Sequence, residues 1–126
     1  MKKIELLSPA KDLECGMAAI KCGADAVYIG ADSFGARSSA GNSIEDIKTL
    51  VSFAHMYFAR VYVTLNTILT DKEIIQAKEF LEKLYETGVD AFIIQDMGFL
   101  EMDLPPVPLI ASTQCHNNSV EKIKFL

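Results

Sequence analysis

The chain lacks the features of several classes of protein. Among its 126 residues, no run approaches the ~18 uninterrupted apolar residues of a membrane span, and no secretory signal follows the first three residues. Its three cysteines, Cys15, Cys22 and Cys115, are too few and odd in number for a disulfide framework. We therefore expect a cytoplasmic protein that has no membrane partner.

The short motifs of common catalytic sites are missing as well. There is no Gly-x-Gly-x-x-Gly, no Walker phosphate-binding loop and no His-Glu-x-x-His, and we predict no metal site. Cys115 and His116 are adjacent, but no third group is placed to orient them, which argues against a thiol protease. Cys15 and Cys22 share one helical face, and we interpret them as core residues. The formal charge of −5 argues against a basic nucleic-acid footprint on this segment, and it leaves open RNA contacts made elsewhere in a longer protein.

A sequence pattern that occurs twice indicates the fold class. Residues 23–29 read GADAVYI and residues 88–94 read GVDAFII, so a glycine ends a helical pattern and an apolar strand follows. Strands and helices alternate along the chain, which predicts an α/β fold of parallel β/α units. An open doubly wound sheet and part of an eight-stranded barrel both fit, and a complete barrel needs roughly 250 residues. We expect strands at residues 4–8, 26–30, 60–66, 91–96 and 109–113.

Capping residues and apolar periodicity predict the helices between these strands. The second helix should present an inward apolar face that runs as far as Phe58. Pro9 should end the first strand, because it has no backbone N–H to donate. Four polar residues are placed to begin helices, namely Asp12, Ser43, Thr70 (with Glu73 as a capping box) and Asn118.

Polar side chains gather where the predicted strands end. In a parallel α/β fold these ends share one edge of the sheet, and in a barrel they face one mouth. Their amide, hydroxyl and carboxylate groups can orient a polar substrate, and an arginine can clamp an anion; caps and turn hydrogen bonds are the alternative roles. The catalytic candidates are Asn66, Gln95, Asp96, Ser112 and Gln114. The substrate-binding candidates are Ser8, Gly30, Arg37, Asn42 and Thr113.

Six motifs in order resemble those of peptidase family U32, the collagenase-like proteases. They are ELLSPA at 5–10, GADAVYIG at 23–30, Arg37 with AGN at 40–42, VTLNT at 63–67, QDMG at 95–98 and ASTQ at 111–114. The resemblance covers essentially the whole chain. It implies a TIM-like barrel of which about five strands are present. Residues 1–126 would then be the N-terminal part of a catalytic domain, truncated within a helix.

The resemblance leaves the function divided between two reactions. The name of the family implies peptide hydrolysis, whereas other members resemble factors that hydroxylate a tRNA or a ribosomal RNA with prephenate as the hydroxyl source, or that serve ubiquinone hydroxylation. The substrate would accordingly be a peptide or an RNA. No activated nucleophile or metal set is visible in this half, which argues chemically against the protease. The resemblance implies that several relatives carry an iron–sulfur cluster on four cysteines beyond the matched region. Whether the parent protein has such a cluster stays open, and none is expected in this segment.

Two of the motifs depart from the family pattern. Ile110 stands where the fifth-strand motif commonly begins with histidine, so a base that relatives would have there is missing. Lys11 and Asp12 stand where Gly-Asn or Gly-Ser is usual, which alters a loop that faces an anion. A non-enzymatic alternative also stays open. A half-barrel exposes unpaired edges at its first and fifth strands, through which two copies could associate.

Overall fold

The structure, a computed structural model, describes residues 4–34 and 41–126. In these ranges five parallel strands form one sheet in the order β1-β2-β3-β4-β5, so each β/α unit places its strand beside the previous one. The predicted α/β class with parallel units is confirmed. The strands are β1 (Leu7–Ala10), β2 (Ala26–Gly30), β3 (Arg60–Leu65), β4 (Ala91–Ile94) and β5 (Leu109–Ala111). The helices are α1 (Leu13–Lys21), α2 (Ile44–Met56), α3 (Asp71–Tyr85) and α4 (Val120–Phe125), with short 3-10 helices at Met97–Glu101 and Thr113–Cys115.

The hydrophobic core lies between one face of the sheet and the helices. Alternate residues of each strand point there, as the period of two in a strand requires. On β3 these are Val61, Val63 and Leu65, which are fully buried together with Phe92 of the next strand. The helices contribute their apolar faces, which for α2 consist of Ile47, Leu50, Val51 and Ala54.

The opposite face of the sheet, here called the inner face, carries no layer of helices in the described part of the chain. Ala26, Tyr62 and Ala91 form a small second cluster on it. Tyr28 pairs in register with Tyr62 and is 36% exposed, and Ile110 on β5 is 37% exposed. In a barrel this face would line the interior.

Three of the four predicted helix caps are confirmed. The Asp12 carboxylate accepts a hydrogen bond from Cys15 N at 2.9 Å and begins α1. Ser43 and Thr70 begin α2 and α3, each within a complete capping box. In the described ranges, no helix is both long enough and apolar enough to cross a membrane.

The prediction for Pro9 was wrong, because β1 runs from Leu7 to Ala10 and includes it. Pro9 pairs in register with Tyr28. A proline is tolerated on an edge strand, where one side of the backbone has no partner strand to receive an N–H. β1 is such an edge in the described part of the chain, where β2 alone adjoins it.

The predictions for Phe58 and Asn118 were wrong as well. α2 ends at Met56, and Phe58 lies in the following turn with φ of 57° and 96% of its surface exposed. Hydrogen bonds from the Phe58 and Ala59 amides back to the helix close this turn before the side chain can reach the core. The cap of α4 is Ser119, because Asn118 instead donates its backbone N–H to the His116 carbonyl.

The interpretation of Cys15 and Cys22 as core residues was also wrong, since both are exposed. The buried positions of α1 are Gly16 and Ile20. A Cβ at Gly16 would stand 2.8 Å from a methyl group of Leu50, so α1 approaches α2 closely at this glycine. That close approach turns the neighbouring Cys15 outward.

Candidate functional site

The carboxyl ends of the parallel strands lie along one edge of the sheet, and most predicted site residues are there. β3, β4 and β5 end one or two residues earlier than predicted, so the polar residues follow the strands directly. Ser8 is an exception, because it lies inside β1 opposite Val27. Arg37 lies outside the described residues. The residues at the edge are Gly30, Asn42, Asn66, Gln95, Asp96, Ser112, Thr113 and Gln114.

The loops that follow β1 to β5 are here called the first to the fifth loop. Asn42 is buried and joins the first two of them. Its Nδ2 donates to the Gly30 carbonyl at 2.8 Å and to the Lys11 carbonyl at 3.0 Å. The backbone of Asn42 forms a parallel bridge with Ala31, and its carbonyl accepts from Asp32 N at 3.2 Å. Both hydrogen bonds of Nδ2 are therefore made to backbone carbonyls of the loops, and not toward the open end of the strands where a substrate would bind.

Thr67 joins the second and third loops; it follows the third predicted strand within the motif at 63–67, but it is not among the catalytic or substrate-binding residues predicted above. Its Oγ1 donates to the Phe34 carbonyl at 3.1 Å. Phe34 has a φ of 63°, and its ring packs on Phe80 of α3 with 6.0 Å between the centroids. The signal available in the sequence was the position of Thr67 directly after Asn66, at the end of a predicted strand.

Asp96 joins the third and fourth loops through both of its carboxylate oxygens. Oδ2 accepts from Leu69 N at 2.9 Å, and Oδ1 accepts from Gly98 N at 2.8 Å, which caps the 3-10 helix at Met97–Glu101. Hydrogen bonds to an ionised carboxylate are stronger than those between neutral groups. The geometry gives Asp96 an anchoring role, and a catalytic role stays a prediction.

Gln95 and Ser112 connect β4 to β5. The Gln95 Nε2 donates to the Gln114 carbonyl at 3.4 Å. Ser112 is buried, its N–H donates to the Ile94 carbonyl at 2.8 Å, and its Oγ accepts from Gln114 N at 3.2 Å. The side chains of Thr113 and Gln114 are exposed at the edge, where they can meet a substrate.

The inner face reaches the same edge through Thr64, which the sequence interpretation also missed. Thr64 pairs with Ile93, which pairs with Ile110, so these three residues lie at one level of the sheet. A Cβ at Gly30 would stand 3.6 Å from Thr64 Oγ1, so the glycine leaves the inner face open beside it. Ile110, the position for which the family resemblance implies a histidine, is therefore on the inner face, next to the candidate site.

The thiols near this edge are not placed as nucleophiles. A hydrogen bond with the Asp12 side chain raises the pKa of the Cys15 thiol, while backbone hydrogen bonding from Cys15 lowers the pKa of Asp12. Since the thiolate is the reactive form, a raised pKa makes Cys15 less nucleophilic. Cys115 is buried, with its Sγ 3.5 Å from the Ile94 carbonyl. Among the described residues no three His, Cys, Asp or Glu side chains are grouped to hold a metal ion.

A second polar cluster lies at the opposite, amino-terminal edge of the sheet. The Tyr62 hydroxyl donates to Glu5 Oε2 at 2.8 Å, and Arg60 Nη1 lies 3.2 Å from the same oxygen. Burial, followed by the Glu5 hydrogen bond, raises the pKa of Tyr62. A shallow cavity of about 170 Å³ opens there beside Phe58 and Asp25. None of the predicted site residues lines this cavity.

The sequence matches the family described as peptidase family U32 over residues 11–126. It is 58% identical to the 23S rRNA 5-hydroxycytidine C2501 synthase of Escherichia coli over 124 residues, or 98% of the chain. It is 36% identical to the tRNA hydroxylation protein P of Helicobacter pylori over 121 residues, or 92% of the chain. The chain spans 19% and 29% of the lengths of these two relatives.

A solved structure has the same fold. The U32 peptidase Mk0906 superposes on 97% of this chain with a TM-score of 0.74, and the match covers 55% of that structure. The sequence identity is 11%, so this likeness concerns the fold alone. It supports the TIM-like arrangement of the five β/α units.

Proposed function

The chain belongs to peptidase family U32, and on this basis we propose that the protein takes part in the hydroxylation of RNA. The observation that carries the proposal is the 58% identity, over nearly the whole chain, to an enzyme named for 5-hydroxycytidine in ribosomal RNA. The 36% identity to a tRNA hydroxylation protein supports the same class of reaction. Residues 1–126 would be the N-terminal part of the catalytic domain.

The exposed groups at the carboxyl edge suit the recognition of a nucleobase. Enzymes that modify a base read its edge through hydrogen bonds once it has left the stack. The amide of Gln114 is both donor and acceptor, and Thr113 adds a hydroxyl. These two side chains, with Gln95 beside them, would orient the base. Arg37 as a contact to an anionic group, and prephenate as the hydroxyl source, stay predictions.

Peptide hydrolysis is the second candidate, since the family and the solved relative carry that name. The chemistry of the described thiols supports it less. Cys15 has a raised pKa, and Cys115 is buried against backbone carbonyls. A hydrolase needs an activated nucleophile or a metal-bound water.

Mass spectrometry of nucleosides from a deletion strain separates the two functions. The strain should lose a hydroxylated nucleoside from its rRNA or tRNA, and the full-length gene should restore it. A Gln114→Ala variant should restore it poorly, because the base loses its amide partner. Gln76→Ala, a change on the exposed surface of α3, is the matched control and should restore it fully.

Unchanged RNA in the deletion strain would contradict the proposed function. If both RNA classes keep every hydroxylated nucleoside in the deletion strain, the proposed function is wrong. A loss of gelatin or casein cleavage in extracts of that strain, with unchanged RNA, would favour the peptidase instead.

Self-association of this chain through its sheet edges is a separate proposal. β1 and β5 each have one neighbouring strand in the described sheet, and an unpaired strand edge can recruit another chain. Light scattering on the 126-residue chain at micromolar concentration should give twice the monomer mass. A folded monomer would contradict this proposal.

A further inference from the structure

The strand-end loops are joined in sequence by side chains that bond to the backbone of a neighbouring loop. Asn42 links the first loop to the second, and Thr67 links the second to the third. Asp96 links the third to the fourth, and Gln95 links the fourth to the fifth. These four connections form a continuous framework along the carboxyl edge of the sheet.

The hydrogen bond from Thr67 is made to Phe34, a residue whose backbone conformation is strained. Phe34 lies four residues after β2, and its φ of 63° is in the left-handed region. A bulky L-residue pays roughly 1–2 kcal/mol for this conformation, so its surroundings must hold it there. Thr67 fixes the Phe34 carbonyl from one side, and Phe80 packs on its ring from the other.

We propose that Thr67 is a positioning residue of the candidate site, through its hydrogen bond to the Phe34 carbonyl. It would hold residues 31–34 against the β3–α3 unit, which Asp96 in turn holds against β4. These contacts would keep the side-chain amides of Gln95 and Gln114 in fixed positions at the edge of the sheet. This inference rests on the proposed function, because it concerns the same site.

The direction of the hydroxyl argues against direct contact with the substrate. Thr67 is half-buried, and its one hydroxyl proton is directed at a backbone carbonyl. Its effect on the reaction would therefore pass through the position of the loops. Small displacements of a reacting geometry are costly, since a shift of about 1 Å can reduce a rate about 100-fold.

The test uses three variants of the full-length protein in the deletion strain, at matched protein levels. Thr67→Val removes the hydroxyl and keeps the shape, whereas Thr67→Ser keeps the hydroxyl. Thr87→Val is the matched control, because Thr87 makes the same kind of bond, to the Leu84 carbonyl at 2.7 Å, in the turn that precedes β4. The readouts are the midpoint of urea unfolding and the fraction of RNA hydroxylated when the protein is limiting.

Both valine variants should lose a similar amount of stability, because each loses one hydrogen bond. Only Thr67→Val should also lose activity. The expected loss is about five- to tenfold, which is the factor that corresponds to the free energy of one hydrogen bond. Thr67→Ser should retain most of the activity. A fully active Thr67→Val, or an equal loss in Thr87→Val, would overturn the proposal, and so would a Thr67→Ser as inactive as Thr67→Val.

Hydrogen exchange keeps this test independent of the reaction. If the wild-type gene restores no hydroxylated nucleoside, the proposed function fails, and the positioning is judged on the peptide that covers residues 30–34. Faster exchange there in Thr67→Val than in Thr87→Val would support the link. Equal exchange in the two variants would overturn it.

Discussion

The carboxylate of Asp96 accepts a hydrogen bond from the backbone N–H of Leu69 at 2.9 Å, across 27 residues of sequence. Its second oxygen accepts from Gly98 N at 2.8 Å. One side chain thus holds two of the loops that form the candidate site. Asp96 is predicted from the sequence as a catalytic residue, and these two hydrogen bonds give it a structural role as well.

Asp96→Ala should lower the free energy of unfolding by about 2–3 kcal/mol, because two partly buried N–H groups lose a charged acceptor. Urea unfolding followed by circular dichroism measures the change. Asp103→Ala, at an exposed carboxylate, is the control and should stay within about 0.5 kcal/mol of the wild type. Equal losses in the two variants would mean that the Asp96 bonds contribute little.

Gly98→Ala should destabilise the protein by about 1–3 kcal/mol, because the new Cβ would stand 2.4 Å from Ile74 Cδ1. Ile74→Val removes that methyl group, so the double variant should be more stable than the sum of the two single changes predicts. Gly23→Ala is the control. Its Cβ would meet nothing within 4 Å, so the cost of this change comes from the backbone φ of 101°, and it should combine additively with Ile74→Val.

Phe58→Asn should raise the free energy of unfolding by about 0.5–1 kcal/mol. Phe58 is almost fully exposed and has a φ of 57°, and asparagine accepts the left-handed region at lower cost than phenylalanine. Thermal unfolding checks the sign. Lys48→Asn, at an exposed position inside α2, should instead lower the stability, because asparagine is a poorer helix former than lysine. A loss in Phe58→Asn would show that its ring makes stabilising contacts.

Acid should weaken the fold partly through two helix caps. Backbone hydrogen bonds lower the pKa of Asp12 from its ordinary 3.8 and that of Glu73 from its ordinary 4.5. Their stabilisation is therefore present above these ordinary values and is lost as the pH falls through the lowered values in the folded protein. In the neutral variants Asp12→Asn and Glu73→Gln, the unfolding midpoint should fall less steeply than in the wild type as the pH decreases below about 4.5. Glu79→Gln, which removes one negative charge from the exposed surface of α3 and leaves both caps intact, is the matched control. A decline as steep in the cap variants as in this control would contradict the prediction.

Local sequence patterns predicted much of this fold because the interactions behind them are local. Ser43 and Thr70 cap helices through groups three residues away, within a capping box that is visible in the sequence. The failures at Pro9 and Phe58 had different origins, a distant strand for Pro9 and a local turn for Phe58. Pro9 is tolerated because β1 became an edge strand, and Phe58 is exposed because the turn after α2 closes first.

The sequence by itself determined the order of strands and helices, their caps and the gathering of polar residues at one edge. It did so because periodicity, capping and the parallel alternation act within a few residues. Only the tertiary structure decided which of those polar groups hold the loops and which face outward. Asn42, Thr67 and Asp96 bond to backbone 27 to 33 residues away, or to a neighbouring strand end, and such partners are chosen by packing. Gln114 and Thr113 are left exposed at the edge where a substrate can reach them.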